Sequence, residues 1–494
     1  MFIRRLIVLG LLLSSACAHR SSAFRDLDAA IEKELANAIP SIAVAVARNG
    51  SIVHQAAFGF ADAEASRRAT VSTPYPLASV TKPLVATGMM VLAERKRVDL
   101  DLPAHQYAGG RVQPTERYTL RQLLNHTAGL PTYATIRWSG EASPSHDAAT
   151  MFHRYGFAAH PPGTVSEYSN IGYGLVGHII AEQSGQSLAT FLEREVFRPL
   201  GMRNTMMLES AAVPPGVARK YDASGKALPE TFNDTPGAGN IYASVHDLVR
   251  FGMFHLDDRP SRVLSRAAKE AMRSYVEPGA LYPYYDSSRY GLGWYFRTTA
   301  NGTRVVWHEG GMPGASSILV LLPDQKIVAA VLINANDRND VAQSIANRLI
   351  ASVEPAMQPL TFVPTDGFVA YDAQPAYLGR WEGALTVDGR ALRCTMTFDA
   401  GGKVTVAFPD RAADDFLPRH STFNALVNGD LLLGTIAGTL PGSDIAQKPG
   451  GYVLLRLVRR GDQLSGTMIA YASPEGLRHL YPFAVSLRRV HAAR

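Results

Sequence analysis

Ala78-Ser79-Val80-Thr81-Lys82-Pro83 decides how the rest of this chain is read. A Ser and a Lys three residues apart on one helix face can form a self-contained nucleophile and proton carrier. A serine hydroxyl is a poor nucleophile at neutral pH and needs a base within hydrogen-bond reach. Lys82 can be that base only if burial and nearby positive charge lower its pKa. Pro83 fits a first helical turn, where an amide N–H has no partner to lose, so a helix is expected to start near Ser79. Leu84, Val85, Met89, Met90 and Val91 would anchor that helix in the core. Taken alone, Ser-x-x-Lys is a weak signal that more often marks an N-cap serine with a solvated lysine.

Two later stretches shift the balance toward covalent acyl transfer. Pro162-Gly163 leads into Tyr168-Ser169-Asn170, a turn followed by a phenol, a hydroxyl and a carboxamide. Tyr168 can carry a second proton beside Ser79, and Asn170 can hold a substrate amide with its paired donor and acceptor. Val305-Val306-Trp307-His308-Glu309-Gly310-Gly311-Met312-Pro313-Gly314 reads as an apolar strand ending in glycines. His308 and Gly310 share one strand face and Glu309 the other. Gly310 is expected to leave room for a substrate backbone, and the Gly311 N–H to complete an oxyanion hole with that of Ser79.

In this order the three motifs resemble the penicillin-recognising serine hydrolases: class C β-lactamases, D,D-carboxypeptidases, D-aminopeptidases and related esterases. Leu123-Leu124-Asn125-His126-Thr127-Ala128-Gly129-Leu130 and Gly239-Asn240-Ile241-Tyr242-Ala243-Ser244-Val245-His246-Asp247-Leu248 are similar to further segments of that group, and the resemblance covers residues 24–353. It implies Ser79 as the acylated nucleophile, Lys82 and Tyr168 as proton carriers and Asn170 as a substrate contact. It also implies that His308 stands where the usual Lys-Thr-Gly strand motif has Lys. A His here is similar to D,D-peptidase and D-aminopeptidase variants, so strong β-lactamase activity is not expected.

Periodicity supplies the architecture. Phe24, Leu27, Ile31 and Leu35 keep helical spacing, and residues 42–48 and 52–58 flank Asn49-Gly50, a two-residue hairpin signal. Residues 303–310, 316–322 and 326–334 read as three more strands, and Val341, Ile345 and Leu349 mark a closing helix. The expected fold is α+β: one antiparallel sheet flanked by helices, with an α-helical subdomain between the terminal segments and a cleft between the two. Residues 354–375, rich in Pro, form an expected linker. Residues 376–490 hold about eight short strands in meander order, an expected small β-barrel. Its opening, Tyr377-Leu378-Gly379-Arg380-Trp381-Glu382-Gly383, resembles lipocalin-like modules attached to some hydrolases of this group. The module is expected to pack or oligomerise rather than to restrict the cleft.

Met1 to Ala18 reads as a secretory signal: Arg4 and Arg5, an apolar run from Leu6 to Leu13, then small residues. Cleavage after Ala18 and a lipoprotein signal with lipid on Cys17 both fit, which implies a periplasmic or membrane-anchored bacterial protein. Loss of Arg4 and Arg5 lowers the formal charge from +6 to about +4, without a dense basic cluster, so nucleic acid is not an expected partner. No metal or organic cofactor is expected, since His-Glu-x-x-His and paired Cys spacings are missing. The expected partner is a small-molecule or short-peptide substrate. The reading is an exported serine hydrolase cleaving D-amino-acid peptides or small esters. The alternatives are a broad carboxylesterase or β-lactamase and a non-turnover penicillin- or peptide-binding sensor.

Overall fold

The computed structural model describes residues 24–113, 116–139, 148–281, 289–362, 368–410, 420–438, 440, 451–471 and 479–491. The expected signal segment with Cys17 lies outside the described residues, as does part of the expected linker (363–367). No helix among the described residues is long and apolar enough to cross a membrane.

Helix α1 (residues 24–34) precedes a hairpin of β1 (Ser41–Arg48) and β2 (Ser51–Asp62). Asn49 and Gly50 both take positive φ, 52° and 75°, which is what a right-twisted two-residue hairpin requires. The sheet is completed from the far end of the domain by β3 (Tyr295–Thr298), β4 (Arg304–Met312), β5 (Ala315–Leu322) and β6 (Ile327–Ile333). Its order is Arg67–Arg68, β2, β1, β6, β5, β4, β3, Arg289–Tyr290, so first and last strands lie side by side, with Ile42 opposite Ile333.

Alternation divides this sheet between two cores. Ile42, Val44, Val46, Val320 and Val331 face one side, with Leu27 and Ile31 of α1 and Ile345 and Leu349 of the closing helix. Ala43, Ala45, Leu319, Leu321 and Val328 face the other, where the helical subdomain packs. That subdomain contains α2 (Thr81–Glu94), α3 (Asn170–Ser184) and α4 (Val245–Leu256), and the closing helix is α5 (Asn339–Val353). Ser169 caps α3, its Oγ accepting the Gly172 N–H at 3.1 Å, and Gly185 ends it at φ 67°.

The C-terminal region folds as β7 (Gly379–Val387), β8 (Arg390–Phe398), β9 (Val404–Ala407), β10 (His420–Phe423), β11 (Ala425–Asn428), β12 (Leu431–Ala437), β13 (Tyr452–Arg460), β14 (Gln463–Tyr471) and β15 (His479–Arg489). The ladder runs β11-β12-β13-β14-β15-β7-β8-β9-β10. Its two ends follow one another in sequence, so the sheet curls on itself. The Phe423 ring seals the curl against Gly434, where a Cβ would come within 2.3 Å of it. β10 and β11 are separated only by Asn424.

The short strand Ala134–Trp138 joins the two domains, pairing with β15 (Thr135 opposite His479) and with Thr231–Asn233 (Ile136 opposite Asn233). Arg460 of β13 adds a hydrogen bond to Thr164 Oγ1 at 2.8 Å. The barrel is thus hydrogen-bonded into the N-terminal domain.

Candidate active site

Ser79 lies in a 3₁₀ turn, Ala78–Val80, that runs directly into α2 at Thr81, two residues later than the expected helix start. Ala78 takes φ 46°, a left-handed conformation that costs energy for a residue with a Cβ and must be held by its surroundings. Leu77 supplies the hold: its N–H donates to Ile241 O at 2.9 Å, and its carbonyl accepts from Ser317 Oγ at 2.8 Å. Gly310 has a different task from the one expected. A Cβ there would lie 2.3 Å from Leu77 O and 3.1 Å from Ala78 Cβ, so the missing side chain admits the nucleophile turn, not a substrate backbone.

Lys82, one turn on, is wholly buried. Its Nζ lies 3.0 Å from Ser79 Oγ, 2.8 Å from Asn170 Oδ1 and 3.0 Å from Ala238 O. Burial alone holds the amine well below its ordinary value, without the neighbouring positive charge the sequence reading invoked. A neutral amine has two N–H groups and one lone pair. Asn170 Oδ1 and Ala238 O can only accept and so take the two hydrogens, leaving the lone pair for the Ser79 hydroxyl.

Asn170 begins α3, and its two functional ends are partly spoken for. Oδ1 faces Lys82, and Nδ2 donates to Tyr133 O at 3.0 Å. The acceptor expected for a substrate amide is therefore used inside the site, and one Nδ2–H remains. The Tyr168 ring centroid lies 4.7 Å from Lys82 Nζ, so the phenol stands beside the Ser79–Lys82 pair. His126, at φ 62°, accepts the Ser169 N–H on Nδ1 at 3.1 Å and packs its ring 4.4 Å from Tyr168 and 4.3 Å from Tyr290. Burial, reinforced by Lys82 and His308, keeps His126 far below the usual imidazole range.

His308 is a correction. The expectation was a partly charged imidazole contacting substrate from the end of β4. The ring is buried, and burial together with Lys82 lowers it to about 3, so it is neutral at any working pH. Nδ1 lies 2.7 Å from Glu309 O, which can only accept, so the proton is assigned to Nδ1. Nε2 then accepts from the Tyr290 hydroxyl at 2.9 Å. Both nitrogens are engaged, and the ring supports the tyrosine cluster behind the nucleophile instead of meeting substrate. Tyr290 itself gave no sequence signal, since nothing local marks a strand tyrosine as the partner of a distant His.

Ser79, Tyr168, Asn170 and Gly311 share one cavity of about 210 Å³, and neither His308 nor Gly310 lines it. The backbone N–H groups of Ser79 and Gly311 thus belong to residues facing the same space, as an oxyanion site needs. Thr132, Asn233 and Arg456 add polar groups, and Ala134, Ile136 and Met312 apolar ones. The barrel strands β13 to β15 add Leu454, Ile469, Tyr471 and Leu480. The expectation of a mere packing or oligomerisation module gives way here, because the barrel closes one side of the cavity that Ser79 lines. Among the described residues no group of three or more His, Cys, Asp and Glu side chains is placed to hold a metal ion.

Residues 27–354 match the family model described as Beta-lactamase. Penicillin-binding protein 4* of Bacillus subtilis (strain 168) is 29% identical over 330 residues, covering 61% of this chain and 70% of the relative. Protein flp of Staphylococcus aureus (strain MRSA252) is 28% identical over 330 residues, covering 63% of each. Among solved structures, SurE with D-Leu has a TM-score of 0.64 at 24% identity, covering 96% of this chain and 100% of that one. The D-amino acid amidase of Ochrobactrum anthropi SV3 complexed with D-phenylalanine has a TM-score of 0.56 at 24% identity, covering 67% of this chain and 100% of that one. These two structural likenesses speak to fold alone, and the first of them spans the C-terminal barrel as well.

Proposed function

This chain belongs to the β-lactamase family of serine hydrolases, and on that premise we propose that it cleaves amide or ester bonds of D-amino-acid peptides, their amides, or small esters through an acyl-Ser79 intermediate. The observation that carries the reading is the buried Lys82 Nζ 3.0 Å from Ser79 Oγ, with the amine's lone pair left for the hydroxyl proton. Lys82 takes that proton as Ser79 attacks the carbonyl, and the N–H groups of Ser79 and Gly311 hold the oxyanion. Protonation of the leaving amine or alcohol passes through the Lys82–Tyr168 pair. Water then repeats the sequence on the acyl-enzyme.

Substrate chemistry follows from charge. A neutral, buried His308 offers no cation for a carboxylate on β4, and Arg456, the cation among the described residues lining the cavity, is tied to Glu167. Short acyl esters and D-amino-acid amides are therefore favoured over cephalosporins. A panel of p-nitrophenyl esters, D-amino-acid anilides and nitrocefin, with Ser79→Ala as blank, tests this. Nitrocefin turnover far above the others would return the protein to β-lactamase chemistry. Met1–Ala18 supports export to a bacterial periplasm, soluble or lipid-anchored, and the mass of the mature N-terminus distinguishes cleavage after Ala18 from lipid on Cys17.

A further inference from the structure

Within β13 the apolar run Val453-Leu454-Leu455-Arg456-Leu457-Val458 is interrupted by one charge, ahead of Arg459 and Arg460 at the strand's end. The Arg456 Nη1 donates to Glu167 Oε1 at 2.8 Å and to Thr132 Oγ1 at 2.6 Å. Glu167 is 2% exposed at its side chain and is the residue immediately before Tyr168. Thr132 Oγ1 lies 3.0 Å from Glu167 Oε1 and 2.6 Å from the Tyr168 carbonyl.

A threonine hydroxyl has one proton and cannot serve both acceptors at once. With Arg456 donating to the carboxylate and to the hydroxyl oxygen, the Thr132 proton is released for the Tyr168 carbonyl, the shorter contact. Without the guanidinium, the carboxylate would stand buried with its cation gone, and the nearest donor able to answer it is that same Thr132 hydroxyl. The proton would turn away from Tyr168, and the loop carrying the phenol would lose the tether at the Tyr168 carbonyl while keeping those at Glu167 N–H and Ser169 N–H.

We propose that Arg456 is a positioning residue for Tyr168, so that the C-terminal barrel completes the catalytic site of the hydrolase domain. The inference rests on the acyl-Ser79 reading, with Tyr168 on the proton path. It also gives a role to the charge that interrupts the apolar run 453–458, at the seam where β13 faces residues 132 and 167.

The test uses the full chain, p-nitrophenyl ester kinetics, and the rate of Ser79 labelling by a fluorophosphonate. Arg456→Met should lower kcat and the labelling rate by roughly tenfold to a hundredfold, the scale of a small misplacement of a catalytic group, with KM changed much less. Arg456→Lys retains the cation and should keep clearly more kcat than the Met variant, which also guards against a variant that fails to fold. Arg456→Met combined with Glu167→Gln should lose less than the product of the single losses, because both act on one loop. A raised KM with kcat intact, multiplicative losses, or equal loss in Lys and Met variants overturns the proposal. Labelling that persists in Ser79→Ala unseats the acyl-Ser79 reading itself, whereas Ser79-dependent labelling at full rate in the Arg456 variants unseats Arg456 alone.

Discussion

The hydrolase domain and the barrel face the same cavity with opposite chemistry. From the first come Ser79, Asn170, Tyr168 and Gly311, the groups proposed to attack, hold or pass protons; from the second come mainly Leu454, Ile469, Tyr471 and Leu480, an apolar wall. Reactivity depends on contacts of about 3 Å set by one helix turn, and shape on a sheet that starts nearly 300 residues later in the chain. The two can therefore be altered separately, except at Arg456, where barrel and proton path meet.

The largest effect expected from this division is at Ser79. Ser79→Ala should reduce turnover to background and abolish the covalent adduct in intact-mass spectra, with the barrel untouched. An adduct on any other residue breaks the assignment of chemistry to the hydrolase domain.

Next in size, Lys82→Ala and Tyr168→Phe should each slow acylation by at least about a hundredfold, the scale of a positioned acid or base. Because the proton passes through both, the double variant should lose less than the product. Only neutral Lys82 serves as base, so kcat/KM should rise with pH through its lowered pKa. His308, already neutral above about 3, should add no limb near 6.5. A limb at that pH removed by His308→Gln would restore His308 to the reaction.

Smaller changes are expected from the apolar wall. Tyr471→Ala or Leu480→Ala should shift preference toward longer acyl chains by about tenfold, the usual worth of a methylene or two in a hydrophobic pocket, while labelling of Ser79 by a small fluorophosphonate stays near normal. Chain-length profiles identical to wild type would return the barrel to a packing role.

The smallest effect is on stability. His308 and His160 titrate at about 3 and about 4 in the fold, against an ordinary 6.5. The unfolded chain binds more protons between these values, so stability is lost as pH falls from about 6.5 toward 4. Asp234, raised to about 7 by burial, acts in the other direction, since the fold keeps its proton above 3.8 where the unfolded chain gives it up. The two histidines are joined by buried His126 and His255, also lowered, and together outweigh it. All lie in the hydrolase domain. Denaturant midpoints at pH 5 and pH 7.5 should therefore show the loss at the lower pH, and a rise there would contradict the balance.

What the sequence disclosed depended on distance along the chain. Ser79 and Lys82 are one helical turn apart, Asn49-Gly50 dictates its hairpin, and Asp388-Gly389 and Asn428-Gly429 mark barrel turns, because each is a local conformational demand. Gly310 was read correctly as a place for close backbone approach, yet which backbone approaches is settled by Leu77, more than 200 residues earlier. His308 was read as half-charged because burial and the partner Tyr290 are tertiary facts. Arg456 was legible in principle as a charge inside an apolar strand, but its partners Thr132 and Glu167 were not.

One feature of the main sheet bears on how the chain is made. β1, with every residue from Ser41 to Ala47 buried in the finished fold, has β6 as its inner neighbour, and β6 begins only at Ile327. On the ribosome the β1–β2 hairpin, complete at Asp62, therefore emerges with one apolar edge unmatched until β6 ends at Ile333. Such an edge invites pairing with other chains. The nascent protein has to be kept apart from its neighbours until Ile333 is out, and β13 to β15, translated after it, can then dock on a cavity whose Ser79 side has already formed.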